Sequence, residues 1–97
     1  MEKLNYYLRF HPKVADDIDA FDRTLQIQIR NKLEKIQENP FLWIQLIGSL
    51  SGWRKMYVAD KKIRIVYRIE QELVTIYVIA IWKRENDSVY ERALKRL

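Results

Sequence analysis

The spacing of apolar residues changes once along this 97-residue chain, and this change constrains the fold more than any other feature. Between Val14 and Ile36, apolar residues recur at steps of three and four, which places them in one stripe along helical segments. In residues 53–82 they alternate with polar residues or run without interruption, which is typical of strands. A helical segment followed by a strand-rich one predicts an α+β domain with helices packed on one face of a small sheet.

The helical segment is predicted to form two helices joined as a hairpin. Asp22, followed by Arg23-Thr24, has the character of an N-cap and divides the stripe, and Asn39-Pro40 ends the second helix. A strand precedes the hairpin and ends at His11-Pro12, because a proline cannot donate to a strand ladder. The apolar positions of that strand are Leu4, Tyr6, Leu8 and Phe10.

Three strands joined by short turns follow an irregular stretch at residues 41–52, and they predict an antiparallel meander. The turns are expected near Asp60-Lys61 and Gln71-Glu72, and the spacing from Ser88 to Glu91 matches a capping box that opens a short basic helix. The predicted fold is thus one domain over residues 1–97. It has an N-terminal strand, a helical hairpin, a meander that completes a small twisted sheet, and a short C-terminal helix.

The positive charge of the chain lies in its later part. Eighteen Lys and Arg exceed thirteen Asp and Glu, the net charge is +5 and the isoelectric point is about 9.6. Residues 1–22 are net acidic, so the excess belongs to residues 23–97. Such a balance fits a nucleic-acid partner, although solubility alone also accounts for it.

Strand alternation predicts one uncovered basic face on the sheet. If Met56 and Val58 face the helices, Lys55 and Tyr57 point away from them, and the same alternation turns Arg64 outward. Cations interleaved with aromatic rings are typical of surfaces that bind RNA or single strands, but core aromatics beside solvated cations give the same pattern. The RNA-binding residues predicted on or beside this face are Arg54, Tyr57, Lys62 and Lys83.

Several kinds of site are excluded or unexpected. The chain has no cysteine and one histidine, His11, so thiol chemistry and a pair of imidazoles within one chain are excluded. The helix dipole accounts for Asp16, Asp17 and Asp19, so we expect no metal and no cofactor. No spanning segment is apparent, and Glu2, Lys3 and Asn5 interrupt any signal peptide, which predicts a cytoplasmic protein without a membrane partner.

Lysine, arginine and tyrosine are sufficient in principle to cleave RNA. The 2′-hydroxyl of RNA is itself the nucleophile, so the protein has to position the phosphate, stabilise its charge and move protons. Arginines bind a phosphorane through paired hydrogen bonds, and a lysine among other cations has a lowered pKa and approaches a general base. No metal is required for this chemistry.

Four segments in order resemble the RelE/ParE toxin superfamily, most closely the RelE-type mRNA interferases. The segments are LSGWRK at 50–55, IRIVY at 63–67, IAIWKRE at 79–85 and VY at 89–90. The resemblance covers nearly the whole chain and implies the same order of strand, hairpin and meander. It also implies a type II toxin that cleaves mRNA in the ribosomal A site and is blocked by a cognate antitoxin.

The resemblance assigns catalytic roles to four residues. Lys55 matches a lysine that stabilises the scissile phosphate, and Arg64 matches a strand arginine that grips the same phosphate. Arg84 matches an arginine linked with the transition state and with protonation of the leaving oxygen, and Tyr90 matches a tyrosine that stacks on the mRNA base. Gyrase-poisoning ParE-type members typically lack this set.

One position departs from the RelE pattern. A second lysine, proposed as the general base, stands in RelE where this chain has Tyr57. An unperturbed tyrosine titrates at about 10, so Tyr57 serves as a base only if cationic neighbours lower its pKa. Otherwise Lys55 has to accept the proton, and the choice is open at this point.

The sequence thus predicts a toxin that cleaves translated mRNA by metal-independent attack of the 2′-hydroxyl. The expected partners are a cognate antitoxin, the ribosome and mRNA, while a role of the toxin in binding operator DNA is left open. The alternatives are a ParE-like inhibitor of DNA gyrase and a non-catalytic basic module that binds RNA.

Overall fold

The computed structural model describes residues 5–97 and shows a five-stranded sheet with three helices. The strands run in the order β1-β5-β4-β3-β2, with β1 parallel to β5 and every other pair antiparallel. Among the described residues, no helix is long and apolar enough to cross a membrane. The elements are β1 (Tyr7–Phe10), α1 (Val14–Asp19), α2 (Arg23–Glu38), β2 (Ile44–Gln45), β3 (Arg54–Val58), β4 (Ile63–Glu70), β5 (Thr75–Lys83) and α3 (Ser88–Lys95).

The predicted α+β fold is confirmed, including the helical hairpin. Asp22 caps α2, since its Oδ1 accepts a hydrogen bond of 2.9 Å from the backbone N–H of Leu25. Helix α2 ends at Glu38, immediately before Asn39-Pro40, as the sequence predicts. Leu4, which the alternation places in the first strand, lies outside the described residues.

The sheet is covered on both faces, which corrects the expectation that all helices pack on one side. Helices α1 and α2 cover one face through residues such as Val14, Ile29 and Ile36. Helix α3 packs on the other face, where its Val89 and Ala93 contact a small apolar patch of the sheet. The sheet residues of that patch are Val66, Ile79 and Ala80.

A β-bulge in the centre of the sheet explains this second apolar patch. Val66 pairs with Ala80 and Tyr67 pairs with Val78, so the register of β4 and β5 skips Ile79. Ile79 and Ala80 therefore both lie in the apolar cluster that packs against α3, although strict alternation would place them on opposite faces of the sheet. The bulge concentrates enough apolar surface under α3 to hold this short helix on the sheet.

A buried ion pair joins α1, β5 and α3. Strand β1 covers β5 only as far as Val78, and beyond it the side chain of Asp17 accepts a hydrogen bond of 3.0 Å from the N–H of Ile81. Arg96 donates to Ile79 O at 2.9 Å and to both carboxylate oxygens of Asp17 at 2.7 and 2.8 Å. Asp17 is fully buried, and Arg92 also contacts it at 3.0 Å. The Asp17 carboxylate is thus a structural acceptor, a role that the helix-dipole explanation does not capture.

We predict that Asp17→Asn destabilises the protein by about 3–5 kcal/mol, because it leaves the Arg96 guanidinium buried without its counter-charge. Denaturant unfolding followed by far-UV circular dichroism measures the change. Asp16→Asn is the matched control, since Asp16 is exposed in the same turn, and it should alter stability by less than about 0.5 kcal/mol. Equal stabilities of the two variants would contradict this role of Asp17.

Candidate active site

A cleft on the α3 side of the sheet collects three of the four predicted catalytic residues. Lys55 comes from β3, Arg64 from β4 and Tyr90 from α3, and all three line the same depression of about 380 Å³. Tyr57 is the direct cross-strand neighbour of Arg64. The alternation of β3 and β4 thus places Lys55, Tyr57 and Arg64 on one face, as the sequence predicts. The rest of the lining is Leu46, Ile47, Ser49, Leu50, Asp87 and Leu94.

Two cations lie between two tyrosine rings in this cleft. The guanidinium carbon of Arg64 is 4.9 Å from the ring centre of Tyr57 and 5.6 Å from that of Tyr90. The Nζ of Lys55 lies 5.4 and 5.8 Å from the same two ring centres. The electron-rich ring faces attract both cations and hold them close together despite their mutual repulsion.

Protein acceptors satisfy only some of the hydrogen-bond donors of the Arg64 guanidinium. Its Nη1 donates a hydrogen bond to the hydroxyl of Tyr90, whereas its Nε is buried and has no hydrogen-bond partner within residues 5–97. A buried donor without an acceptor costs free energy. The salt bridges among the described residues do not include Arg64, so an anion that enters the cleft would supply its counter-charge.

The pKa of Tyr57 is shifted by its surroundings. Desolvation of the phenol raises it, but hydrogen bonding and attraction by Lys55, together with the positive charges of Arg64 and Lys61, lower it by more. The net effect is a pKa below the ordinary value of 10. Cationic neighbours therefore lower the pKa of Tyr57, which is the change that a role as general base requires.

Arg84 lies in a neighbouring groove and not in the cleft of Lys55, Arg64 and Tyr90. This groove of about 470 Å³ runs between the ends of β4 and β5 and the helical hairpin, where Phe21 and Leu25 form part of its lining. The backbone N–H of Arg84 donates to Lys62 O at 3.1 Å.

Lys62 and Lys83 line the same groove as Arg84, so the predicted cations divide into two neighbouring groups. Lys62, one of the predicted RNA-binding residues, precedes the first residue of β4, so strand alternation does not determine its orientation.

Arg54 is placed away from both groups. Its Nη1 donates to the carbonyl oxygens of Phe41 and Trp43 at 3.0 and 2.9 Å, and its guanidinium lies 5.7 Å from the Phe41 ring centre. The alternation of β3 puts it on the face opposite Lys55. These contacts tie the segment after α2 to the sheet, so the assignment of Arg54 to RNA binding loses its geometric support.

Trp82 fills core space beside the site. It is the cross-strand neighbour of Arg64, packs 5.3 Å from the Phe21 ring centre and carries the Arg92 guanidinium 3.8 Å above its own ring. Its ring thereby contacts Arg92, which pairs with Asp17. These contacts show a packing role for the Trp82 ring.

Sequence reasoning missed Lys61, which the structure brings to the site. Its Nζ lies 5.6 Å from the ring centre of Tyr57. Ala59, Asp60 and Lys61 all have positive φ angles, between 52° and 72°, and this tight turn folds Lys61 back over β3. No periodic pattern covers a turn, so only the density of lysines there hinted at it. Within residues 5–97, no group of side chains suited to a metal ion is present.

Known proteins resemble this chain in sequence and fold. Residues 8–88 match the sequence profile described as the ParE toxin of the type II toxin–antitoxin system parDE. The mRNA interferase toxin RelE of Escherichia coli K12 is 27% identical over 92 residues, which cover 95% of this chain and 97% of RelE. An mRNA interferase RelE from Shigella flexneri matches to the same extent.

Solved structures agree with this assignment. The free E. coli toxin RelE with two arginines replaced by alanine has a TM-score of 0.79 and 26% identity, covering 96% of this chain and 98% of its own. The toxin in the intact E. coli RelBE toxin–antitoxin complex has a TM-score of 0.71 at 23% identity, and the match covers 80% of this chain and 95% of that toxin chain. This likeness supports the fold. This chain belongs to the ParE toxin family of type II toxin–antitoxin systems, within the RelE/ParE superfamily.

Proposed function

We propose that this toxin is an endoribonuclease that cleaves mRNA on the ribosome by attack of the RNA 2′-hydroxyl. The observation that carries the proposal is the convergence of Lys55, Arg64 and Tyr90, from three different elements, in one cleft with an unsatisfied arginine donor. The similar E. coli and Shigella proteins are named mRNA interferases, which agrees with this reading.

The cleft contains the groups that such a reaction needs. Arg64 and Lys55 would hold the scissile phosphate and stabilise the charge that builds on its oxygens. Tyr90, fixed by its hydrogen bond from Arg64, would stack on a neighbouring base. Attack of the 2′-oxygen on phosphorus then releases the 5′-oxygen and leaves a 2′,3′-cyclic phosphate. No step requires a metal.

The adjoining groove would hold the RNA on one side of the cut. Lys62 and Lys83 would provide charge for flanking phosphates, and Arg84 lies in the same groove, from which its long side chain would have to extend to reach the leaving oxygen. The cross-strand pair of Ile63 and Lys83 adjoins that of Arg64 and Trp82, so cleft and groove are neighbours across the end of the sheet. One RNA strand can therefore contact both groups of cations.

A cognate antitoxin and a cytoplasmic location follow from the same proposal. The RelE toxins with solved structures include complexes with antitoxins. We infer that this chain has its own antitoxin with an acidic, amphipathic segment, since the exposed surface is cationic with apolar residues beside it. A toxin that acts on translated mRNA works in the cytoplasm, where ribosomes are.

Gyrase inhibition is the second candidate function, and the matched ParE profile is the observation that favours it. Mapping of mRNA ends by primer extension after induction, together with a chromosome-break assay, separates the two. New mRNA ends at in-frame codon positions support the ribonuclease, whereas double-strand breaks with intact mRNA select the gyrase inhibitor.

Arg64→Ala should lower the rate of mRNA cleavage on ribosomes by about 100- to 1,000-fold, because it removes donors aimed at the developing phosphate charge. Arg68→Ala is the matched control. It removes the same charge from the same strand, but Arg68 is paired with Glu70 at 3.0 Å and lies over Trp53. Equal losses in both variants would mean that general basicity, and not the cleft, supports cleavage.

Arg84→Ala should abolish growth arrest at an expression level equal to that of the wild type, because it removes the groove cation assigned to the leaving oxygen. Growth curves with immunoblots measure this. Arg30→Ala, on the exposed surface of α2, is the control for a lost surface charge. Full toxicity of Arg84→Ala would remove Arg84 from the catalytic set.

Binding of a cleavage-resistant 2′-O-methyl RNA should weaken with salt, and Lys83→Ala should reduce the slope of log K against log salt by about 0.7. Lys62→Ala should behave in the same way. Arg54→Gln should leave the slope unchanged, because Arg54 contacts protein carbonyls and not the groove. Fluorescence anisotropy between low and moderate salt measures these slopes, and an altered slope for Arg54→Gln would restore it to the binding surface.

A further inference from the structure

We propose that Tyr57 is the general base of the cleavage reaction and that its phenolate removes the proton of the attacking 2′-hydroxyl. This inference rests on the proposed ribonuclease function. It assigns the proton-accepting step to Tyr57, which lies beside the cleft as the cross-strand neighbour of Arg64 and has three cations around its ring.

Those cations reach Tyr57 from three parts of the chain. Lys55 lies beside it on β3, Lys61 folds over it from the turn, and Arg64 faces it across the β3–β4 ladder. Their distances to the ring centre are 5.4, 5.6 and 4.9 Å. Three positive charges around one phenol favour its anionic form.

The carboxylates near the cleft do not offset this positive field. Asp87 lines the cleft on the side of Tyr90. Asp60 belongs to the same turn as Lys61 but faces a different depression, alongside Gln28 and Lys32 of α2. The field at Tyr57 is therefore set by the three cations, and the lowered pKa of the phenol agrees with their arrangement.

Other groups are less suited to accept the proton. Guanidinium groups stay protonated, so Arg64 is not a base. The hydroxyl of Tyr90 already accepts a hydrogen bond from Arg64 Nη1. His11 follows β1, at the opposite edge of the sheet from β3. Lys55 serves best as the charged group that binds phosphate and keeps the phenolate stable.

The step balances with water as the only other participant. The phenolate oxygen of Tyr57 takes the 2′-hydroxyl proton as the 2′-oxygen bonds to phosphorus. The bond between phosphorus and the 5′-oxygen breaks, and the departing oxygen takes a proton from solvent. Tyr57 then returns its proton to solvent, and no oxidation or reduction occurs. The products are a 2′,3′-cyclic phosphate and a 5′-hydroxyl.

The first test is single-turnover cleavage of ribosome-bound mRNA by Tyr57→Phe. A positioned general base contributes about 100- to 10,000-fold, so we expect at least a 100-fold loss at neutral pH. Because the base must be deprotonated, the wild-type rate should rise with pH to a plateau, with the midpoint of the rise below pH 10, and Tyr57→Phe should lose this rise. The control is Tyr7→Phe, which alters an exposed tyrosine on β1 and should match the wild type.

The second test replaces Tyr57 with a fluorotyrosine, whose phenol is more acidic but nearly the same size. The rising limb of the pH profile should move to lower pH by the shift seen when the phenol is titrated by ultraviolet absorbance. Tyr57→His should recover part of the cleavage activity that Tyr57→Phe loses. Its cleavage rate should rise at a lower pH than that of the fluorotyrosine protein.

The outcomes separate the two proposals. A wild-type protein that produces no mRNA ends on ribosomes overturns the ribonuclease function and this inference with it. Wild-type cleavage with an unmoved pH profile in the fluorotyrosine protein, or full activity in Tyr57→Phe, overturns the role of Tyr57 alone.

Discussion

The buried carboxylate of Asp17 is the contact on which the rest of the structure depends. It replaces a missing strand neighbour for β5 by accepting from Ile81 N–H, and it holds Arg96 at the end of the last helix. Because Arg96 follows α3, the ion pair fixes the helix that carries Tyr90, and Tyr90 is bonded to Arg64. A residue of the first helix thus determines the geometry of a site on the opposite face of the sheet. Because an ion pair takes the place of strand pairing beyond Val78, the end of β5 depends on the single charge of Asp17.

The same arrangement divides the face under α3 into two regions of different chemistry. The bulge at Ile79 supplies an apolar patch for the helix, while Lys55, Tyr57 and Arg64 occupy the region beside it. Cations packed this closely repel one another, and the tyrosine rings offset only part of that repulsion. The cleft is therefore incomplete in charge until an anion binds. No acidic side chain of residues 5–97 forms a salt bridge with Arg64, and in the proposed function a phosphate would supply that counter-charge.

Periodicity predicted the part of the site that lies within regular strands. A two-residue repeat is enough to place Lys55, Tyr57 and Arg64 on one face, and Asp22 and Asn39-Pro40 mark the helix ends by local chemistry. The repeat stops where the strands stop, so it could not locate Lys61, Lys62 or Arg84. It also could not pair Asp17 with Arg96, because those residues meet only after the whole chain has folded. Strand β2, with two residues, is too short to show a pattern.

The openness of the cleft bears on how such a protein selects its substrate. Lys55, Tyr57, Arg64 and Tyr90 are all only half-buried, and their cleft is a shallow depression of about 380 Å³ on the surface. Attack by a 2′-hydroxyl requires that oxygen to lie in line with the leaving oxygen, and free RNA seldom adopts this geometry. In the proposed reaction the cleft would hold the phosphate and Tyr57 would accept the proton, but residues 5–97 form no opposing wall that would impose the alignment. A surface outside the protein has to provide it, and alignment of this kind is worth about 7–11 kcal/mol in well-oriented reactions. For the proposed ribonuclease, a cleft built from half-exposed lysine, arginine and tyrosine would therefore depend on the ribosome for this alignment, and we expect weak cleavage of free RNA.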